Sequence, residues 1–170
     1  HYSPMSEIRP DPDRLLAQTA ADARTSDGRG KFKIFLGYAP GVGKTCTMLE
    51  AAALRQGAGE SVLVGVALTH GRSETAARLR DLTVLPPLII KHGGTSLEEF
   101  DLLATLARKP DLVVIDELAH TNAPGTRHVR RWQDVDDVLA AGIDVFTTLN
   151  VQHVESVHDV VQRLTGVDVR

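Results

Sequence analysis

An α/β fold with a parallel sheet is predicted by three features of this 170-residue chain. Short apolar runs alternate with stretches of helical periodicity, the pattern of strands joined by crossover helices. A glycine-rich turn, Gly41-Val42-Gly43-Lys44-Thr45, follows one such run and opens a helical stretch. A later run, Leu112-Val113-Val114-Ile115, ends on the acidic pair Asp116-Glu117. Together they predict a P-loop NTPase-like three-layer sandwich, with helices on both faces, right-handed crossovers and ligands beyond the carboxyl ends of the strands.

The elements follow in order. Residues 1–4 precede Met5 and read as a remnant outside the native start. Asp11-Pro12 supplies a cap and a first-turn proline, and Leu15, Leu16, Thr19, Ala20 and Ala23 share one helical face. Residues 26–30, rich in glycine, form a linker, so residues 1–30 are assigned as remnant, helix and linker, and 31–170 as a P-loop nucleotide-binding domain. Phe32, Ile34, Phe35 and Leu36 make the first strand, which leads into the glycine turn. A helix over 46–56, a strand over 62–68, an exit loop His70-Gly71-Arg72 and a helix over 73–82 come next. Leu88-Ile89-Ile90, after two prolines, is a strand with a constrained start. Thr95 with Glu98, or Ser96 with Glu99, forms a capping box for a helix carrying Leu97, Phe100, Leu103, Ala104 and Ala107. The β-branched run 112–115 suits a strand buried on both faces. Beyond it lie a polar loop, a helix over 132–141, a strand over 143–148 and a helix over 151–164.

Composition excludes several functions. A formal net charge of -3 and a pI near 6.2 leave no general basic field, which argues against nucleic acid as a partner. Cys46 is the sole cysteine, so an internal disulfide and a cysteine-based zinc site are excluded. No apolar run approaches the roughly 18 residues of a membrane span, so direct membrane insertion by this chain is not expected.

The chemistry gathers at the predicted strand ends. Glycines let backbone N–H groups turn toward phosphate oxygens, Lys44 reaches the β and γ phosphates, and the Thr45 hydroxyl ligates Mg²⁺. Pro40, Gly41, Val42, Gly43, Lys44, Thr45 and Cys46 are therefore assigned to ATP, although a small packing residue is the simplest reading of Cys46. The strict pattern wants glycine where Tyr38 stands, and Gly37 lies one position earlier. Asp116 is placed to hold Mg²⁺ with Thr45, directly or through water, as in paired Walker A and Walker B motifs. Glu117 is then poised as a general base, either for a hydrolytic water or for an acceptor hydroxyl; the residues leave both open. An adjacent Asp-Glu pair marks phosphate-loop ATPases with a further strand between the loop strand and the acidic strand. That places the strand 143–148 between them and brings Thr147 or Thr148, with Thr148 preferred, toward the γ-phosphate. In the polar loop, Arg127, Arg130 and Arg131 are candidates to neutralise phosphate charge or to meet a partner, with Arg127 and Arg131 assigned to the catalytic set. His120 and His128 lack metal-ligand spacing and are read as loop hydrogen-bonding residues, and Trp132 as a packing residue.

These residues resemble the cytoplasmic N-terminal domain of the KdpD family, the osmosensitive potassium sensor histidine kinases of bacteria. The likeness rests on Ala39 through Thr45, His70-Gly71-Arg72, Asp116 through Gly125, Arg127-His128, Arg131-Trp132-Gln133-Asp134 and Gly142 through His153. The segment from Asp116 to Trp132 is the most family-specific part, and the altered start of the phosphate loop matches the family's form. A departure is Leu68, where a glutamate usually precedes Thr-His-Gly-Arg. The resemblance implies a regulatory domain that binds Mg-ATP through Gly41, Gly43, Lys44, Thr45 and Asp116, in a two-component system controlling potassium transport. It implies the cytoplasmic part of an inner-membrane protein, whose partners are the rest of the sensor kinase chain, indirectly its response regulator, and the potassium pump. It further implies that the chain lacks the histidine kinase core and stops short of the last elements of the family domain. Two enzymatic alternatives stand beside it: a P-loop serine kinase acting on a partner such as the pump, and a slow ATPase.

Overall fold

The computed structural model describes residues 28–37, 43–69 and 71–165. The expected N-terminal helix, the remnant at residues 1–4, and Pro40, Gly41, Val42 and His70 lie outside the described residues.

The centre is a parallel sheet. Strands β1 (Phe32–Gly37), β2 (Val62–Val66), β3 (Thr83–Val84), β6 (Leu112–Ile115) and β7 (Asp144–Asn150) lie in the order β1-β7-β6-β2-β3, every pair parallel. The strand expected over 143–148 therefore does lie between β1, which precedes the Lys44 helix, and the acidic strand. Its register against β1 runs from Phe32 opposite Val145 to Gly37 opposite Asn150, which puts both carboxyl ends side by side.

Period-2 alternation explains why helices cover both faces. Val113 and Ile115 of β6 enter one apolar cluster with Val135, Val138 and Leu139 of α4 (Arg131–Ala140) and Leu164 of α5 (His158–Thr165). Leu112 and Val114 enter the other, with Met48, Leu49 and Ala52 of α1 (Lys44–Gly57). All four β6 residues are fully buried, as a continuous β-branched run predicts.

Four expectations are corrected. The run at Leu88 does not join the parallel sheet: β4 (Leu88–His92) pairs antiparallel with β5 (Thr95–Glu99) as a separate hairpin. The capping boxes at Thr95 and Ser96 are consequently absent, because those residues are in a strand. Gly93 and Gly94 both take positive φ, 56° and 80°, the conformation a two-residue hairpin turn demands. Helix α3 (Leu102–Arg108) starts later, with Asp101 as its cap accepting from the Ala104 N–H at 3.0 Å. The helix expected over 151–164 is a regular α-helix only from His158; Val151–His153 and Glu155–Val157 are 3₁₀ turns. Finally, α2 (Ser73–Leu79) ends early, and the two-residue edge strand β3 follows it.

The hairpin is seated on the sheet by a missing side chain. A Cβ at Gly65 would lie 2.5 Å from the Phe100 ring, so glycine in β2 makes the hollow that Phe100 fills. Glu99, the last residue of β5, is thereby carried to the carboxyl end of the sheet.

Candidate functional site

The carboxyl ends of four parallel strands converge on a cavity of about 190 Å³. β1 leads toward Lys44 and Thr45, at the start of α1, where Gly43 takes φ 72° as N-cap. β6 delivers Asp116 and Glu117, β7 delivers Thr148 and Asn150, and Leu68 follows β2.

Asp116 is the fixed point of the site. Its side chain is 2% exposed, a burial a carboxylate tolerates only when its oxygens are satisfied. Oδ2 accepts from the Leu68 backbone N–H at 2.8 Å and from the Thr45 hydroxyl at 3.2 Å, and Oδ1 accepts from the Thr148 hydroxyl. Leu68, in the position where glutamate was expected, thus contributes its backbone rather than its side chain. Thr147, next to Thr148 but on the opposite face of β7, is buried with its hydroxyl unpaired, so only Thr148 reaches the cavity.

Glu117 adopts φ 63°, a left-handed conformation costing a non-glycine residue about 1 kcal/mol or more. Three contacts hold it there. Its N–H donates to Thr148 Oγ1 at 2.9 Å, the next N–H, of Leu118, donates to the Thr148 carbonyl at 3.0 Å, and Arg131 Nη1 donates to the Asp116 carbonyl at 2.8 Å. The strained turn aims the Glu117 side chain, about half exposed, along the cavity wall.

Arg131 is 2% exposed and faces inward rather than into the cavity. Beside its bond to Asp116 it reaches Glu99 at 3.4 Å and stands 3.9 Å from Glu117. Arg127 is exposed on the loop and, like Cys46, does not line the cavity; Cys46 Sγ lies 3.3 Å from Thr75 Oγ1. Of the expected site residues, the structure brings together Lys44, Thr45, Asp116, Glu117 and Thr148. Burial pulls the Lys44 pKa below its ordinary value, while Asp116 and Glu117 pull it back up, and both carboxylates favour the ammonium form.

From the sequence alone His120 is expected as a loop hydrogen-bonding residue, as it is, but not as part of the site; Glu99 is expected as a capping-box residue, and Asn150 and His153 in no site role. His120, Asn150 and His153 line the cavity, and Glu99 lies behind it, 6% exposed, contacting His120 Nε2 at 3.0 Å. The Gly93-Gly94 dipeptide was the available signal, because a hairpin there ends at Glu99 instead of burying it in a helix. No cluster of three or more His, Cys, Asp or Glu suited to a metal occurs among the described residues. The oxygen pair Thr45 and Asp116 nevertheless fits Mg²⁺, which takes few protein ligands and keeps several waters.

Residues 28–170 match a family model, KdpD, described as the osmosensitive K+ channel His kinase sensor domain. The chain belongs to the KdpD family. The curated KdpD relatives include the Sensor protein KdpD of Escherichia coli (strain K12), 55% identical over 163 residues. That alignment covers 96% of this chain and 18% of the relative. The Sensor protein KdpD of Clostridium acetobutylicum is 46% identical over 162 residues, covering 95% of this chain and 18% of the relative. The Sensor protein KdpD of Mycobacterium tuberculosis (strain H37Rv) is 46% identical over 140 residues, 82% of this chain and 16% of the relative. This KdpD chain thus spans under a fifth of the length of those relatives, and among its described residues no helix is long and apolar enough to cross a membrane.

Proposed function

We propose that this KdpD domain binds Mg-ATP at the carboxyl edge of its parallel sheet. In this reading it regulates a potassium- and osmotic-stress-sensing histidine kinase of a two-component system, as the cytoplasmic part of an inner-membrane protein. The observation that carries the reading is the meeting of Thr45 and Asp116, 3.2 Å apart, across an intervening strand, with Lys44 beside them in one cavity. The α1 N-terminus adds a favourable dipole for an anion. The Thr45 hydroxyl and the Asp116 carboxylate would hold Mg²⁺, which when bound neutralises phosphate charge. Three donors already occupy Asp116, so it acts on the ion's water shell as readily as on the ion. Lys44 supplies the positive charge for the terminal phosphates, and Pro40, Gly41 and Val42 complete the loop. The rest of the sensor chain, the response regulator through it, and the potassium pump are the proposed partners.

Calorimetric titration of ATP with and without Mg²⁺ tests this. Lys44→Ala and Asp116→Asn should each weaken Mg-ATP by about 10- to 100-fold, the worth of a lost charge-assisted hydrogen bond. Equal affinity in wild type and Lys44→Ala would remove the reading.

A second reading, turnover of the bound nucleotide, is favoured by the strained presentation of Glu117 in the cavity. As a base, Glu117 would accept a proton from water, giving a slow ATPase, or from a serine of a partner such as the pump, giving a serine kinase. Phosphate release without an acceptor, against phosphoserine on the pump, separates the two; both should vanish in Glu117→Gln.

A further inference from the structure

On the cavity wall, His120 stands between two carboxylates from different parts of the chain. Its Nε2 lies 3.0 and 3.1 Å from the two oxygens of Glu99, at the end of the hairpin, and its Nδ1 lies 3.4 Å from Glu117 Oε1. Carboxylates accept and do not donate, so Nε2 carries a proton toward Glu99. Nδ1 attracts Glu117 only when it is protonated as well, so the geometry fits an imidazolium bridging both acids. Glu99 is in turn fixed by the Ala123 N–H at 2.8 Å and by Arg131 Nη2 at 3.4 Å. The charged groups around the ring are therefore Glu99 from the hairpin, Glu117 from its own loop and Arg131 from α4, and Lys44 and the titratable His153 line the same cavity.

We propose that His120, anchored by Glu99, is a positioning residue of the nucleotide site that holds Glu117 and offsets its charge where the terminal phosphate lies. The proposal rests on the nucleotide reading above. Glu117 repels a nearby γ-phosphate more strongly than it repels the more distant phosphates of a nucleotide that lacks one. Neutralising it raises the preference for triphosphate over diphosphate without a new contact to the ligand. It also ties that preference to the hairpin, which supplies the anchor.

The test is the ratio of affinities for Mg-ATPγS and Mg-ADP, measured by calorimetry on the folded domain. His120→Asn should lower the ratio on the order of three- to tenfold, the effect of one uncompensated charge in a partly solvated site. Adding Glu117→Gln to His120→Asn should restore the wild-type ratio, which a merely structural role for His120 would not do. The wild-type ratio should also fall relative to that of His120→Asn as pH rises through the His120 midpoint, where the bridging charge is lost. An unchanged ratio in His120→Asn, or no restoration in the double variant, overturns the proposal while the nucleotide site stands. If wild type binds neither nucleotide, the underlying reading fails and takes this one with it.

Discussion

Asp116 and Glu117 are neighbours in sequence with opposite surroundings. Asp116 is buried and receives three hydrogen bonds, from a strand exit, a helix start and a central strand. Glu117, on a strained backbone, is half exposed and contacts ionic groups, His120 and Arg131, that are themselves tied to Glu99 of the hairpin. The first residue closes a local, neutral-donor cluster at the heart of the sheet. The second is one end of a charged network that leaves the sheet altogether. A side chain meant to hold a ligand in one geometry benefits from saturation, whereas one that answers to a partner must keep contacts that can be exchanged.

Removing what the two residues share should have the largest effect. Arg131 braces Asp116 through its carbonyl and Glu117 through charge, so Arg131→Met should destabilise the domain by about 1–3 kcal/mol, the cost of leaving the Asp116 carbonyl without its donor while Glu99 keeps Ala123 and His120. Urea unfolding measures it, and a loss below about 0.5 kcal/mol would show that Arg131 does not brace the acidic pair. Separating the two residues is the next step. Glycine accepts φ 63° without strain, so Glu117→Gly should be neutral or stabilising by up to about 1 kcal/mol while the carboxylate is lost. A clear destabilisation there would mean that Glu117 is as structural as Asp116.

The smallest effect concerns pH. Hydrogen bonding to Glu117 raises the His120 pKa, and Glu99 adds to the rise against burial and Arg131. A folded-state pKa above the unfolded value stabilises fully below the unfolded pKa, near 6.5, and the contribution disappears as pH climbs through the folded midpoint. Wild type should therefore lose stability relative to His120→Asn between about pH 6.5 and the folded midpoint, by less than about 1 kcal/mol in a partly exposed group. Parallel melts at pH 6 and pH 8.5 would show it; equal pH slopes would contradict the bridge.

The sequence and the structure agree best where burial is symmetric. Leu112 through Ile115 could be nothing but a strand covered on both faces, and the acidic pair had to emerge at its carboxyl end. The position of the strand carrying Thr148 was also legible, through the analogy that the Asp-Glu pair draws with one class of phosphate-loop ATPases. The hairpin was not, because Leu97, Phe100, Leu103 and Ala104 fall at helical spacing although Leu97 is in β5, Phe100 in the link after it, and Leu103 and Ala104 in α3. That spacing hid Glu99, and with it the partner that gives His120 its place. Arg131 looked like a loop cation because its burial depends on Glu99, which lies 32 residues earlier in the chain.

The hairpin also has a mechanical meaning. Its strands have five residues each, at about 3.3 Å per residue, so the exposed Gly93-Gly94 tip stands about 15 Å from Glu99. With its base pinned at Phe100 in the Gly65 hollow, a tilt of about 5° at Glu99 would carry the tip about 1.3 Å, by the same rise per residue. A fluorophore at His92 would therefore sit on the long arm of a lever whose short arm ends at Glu99, against the His120 ring of the cavity wall.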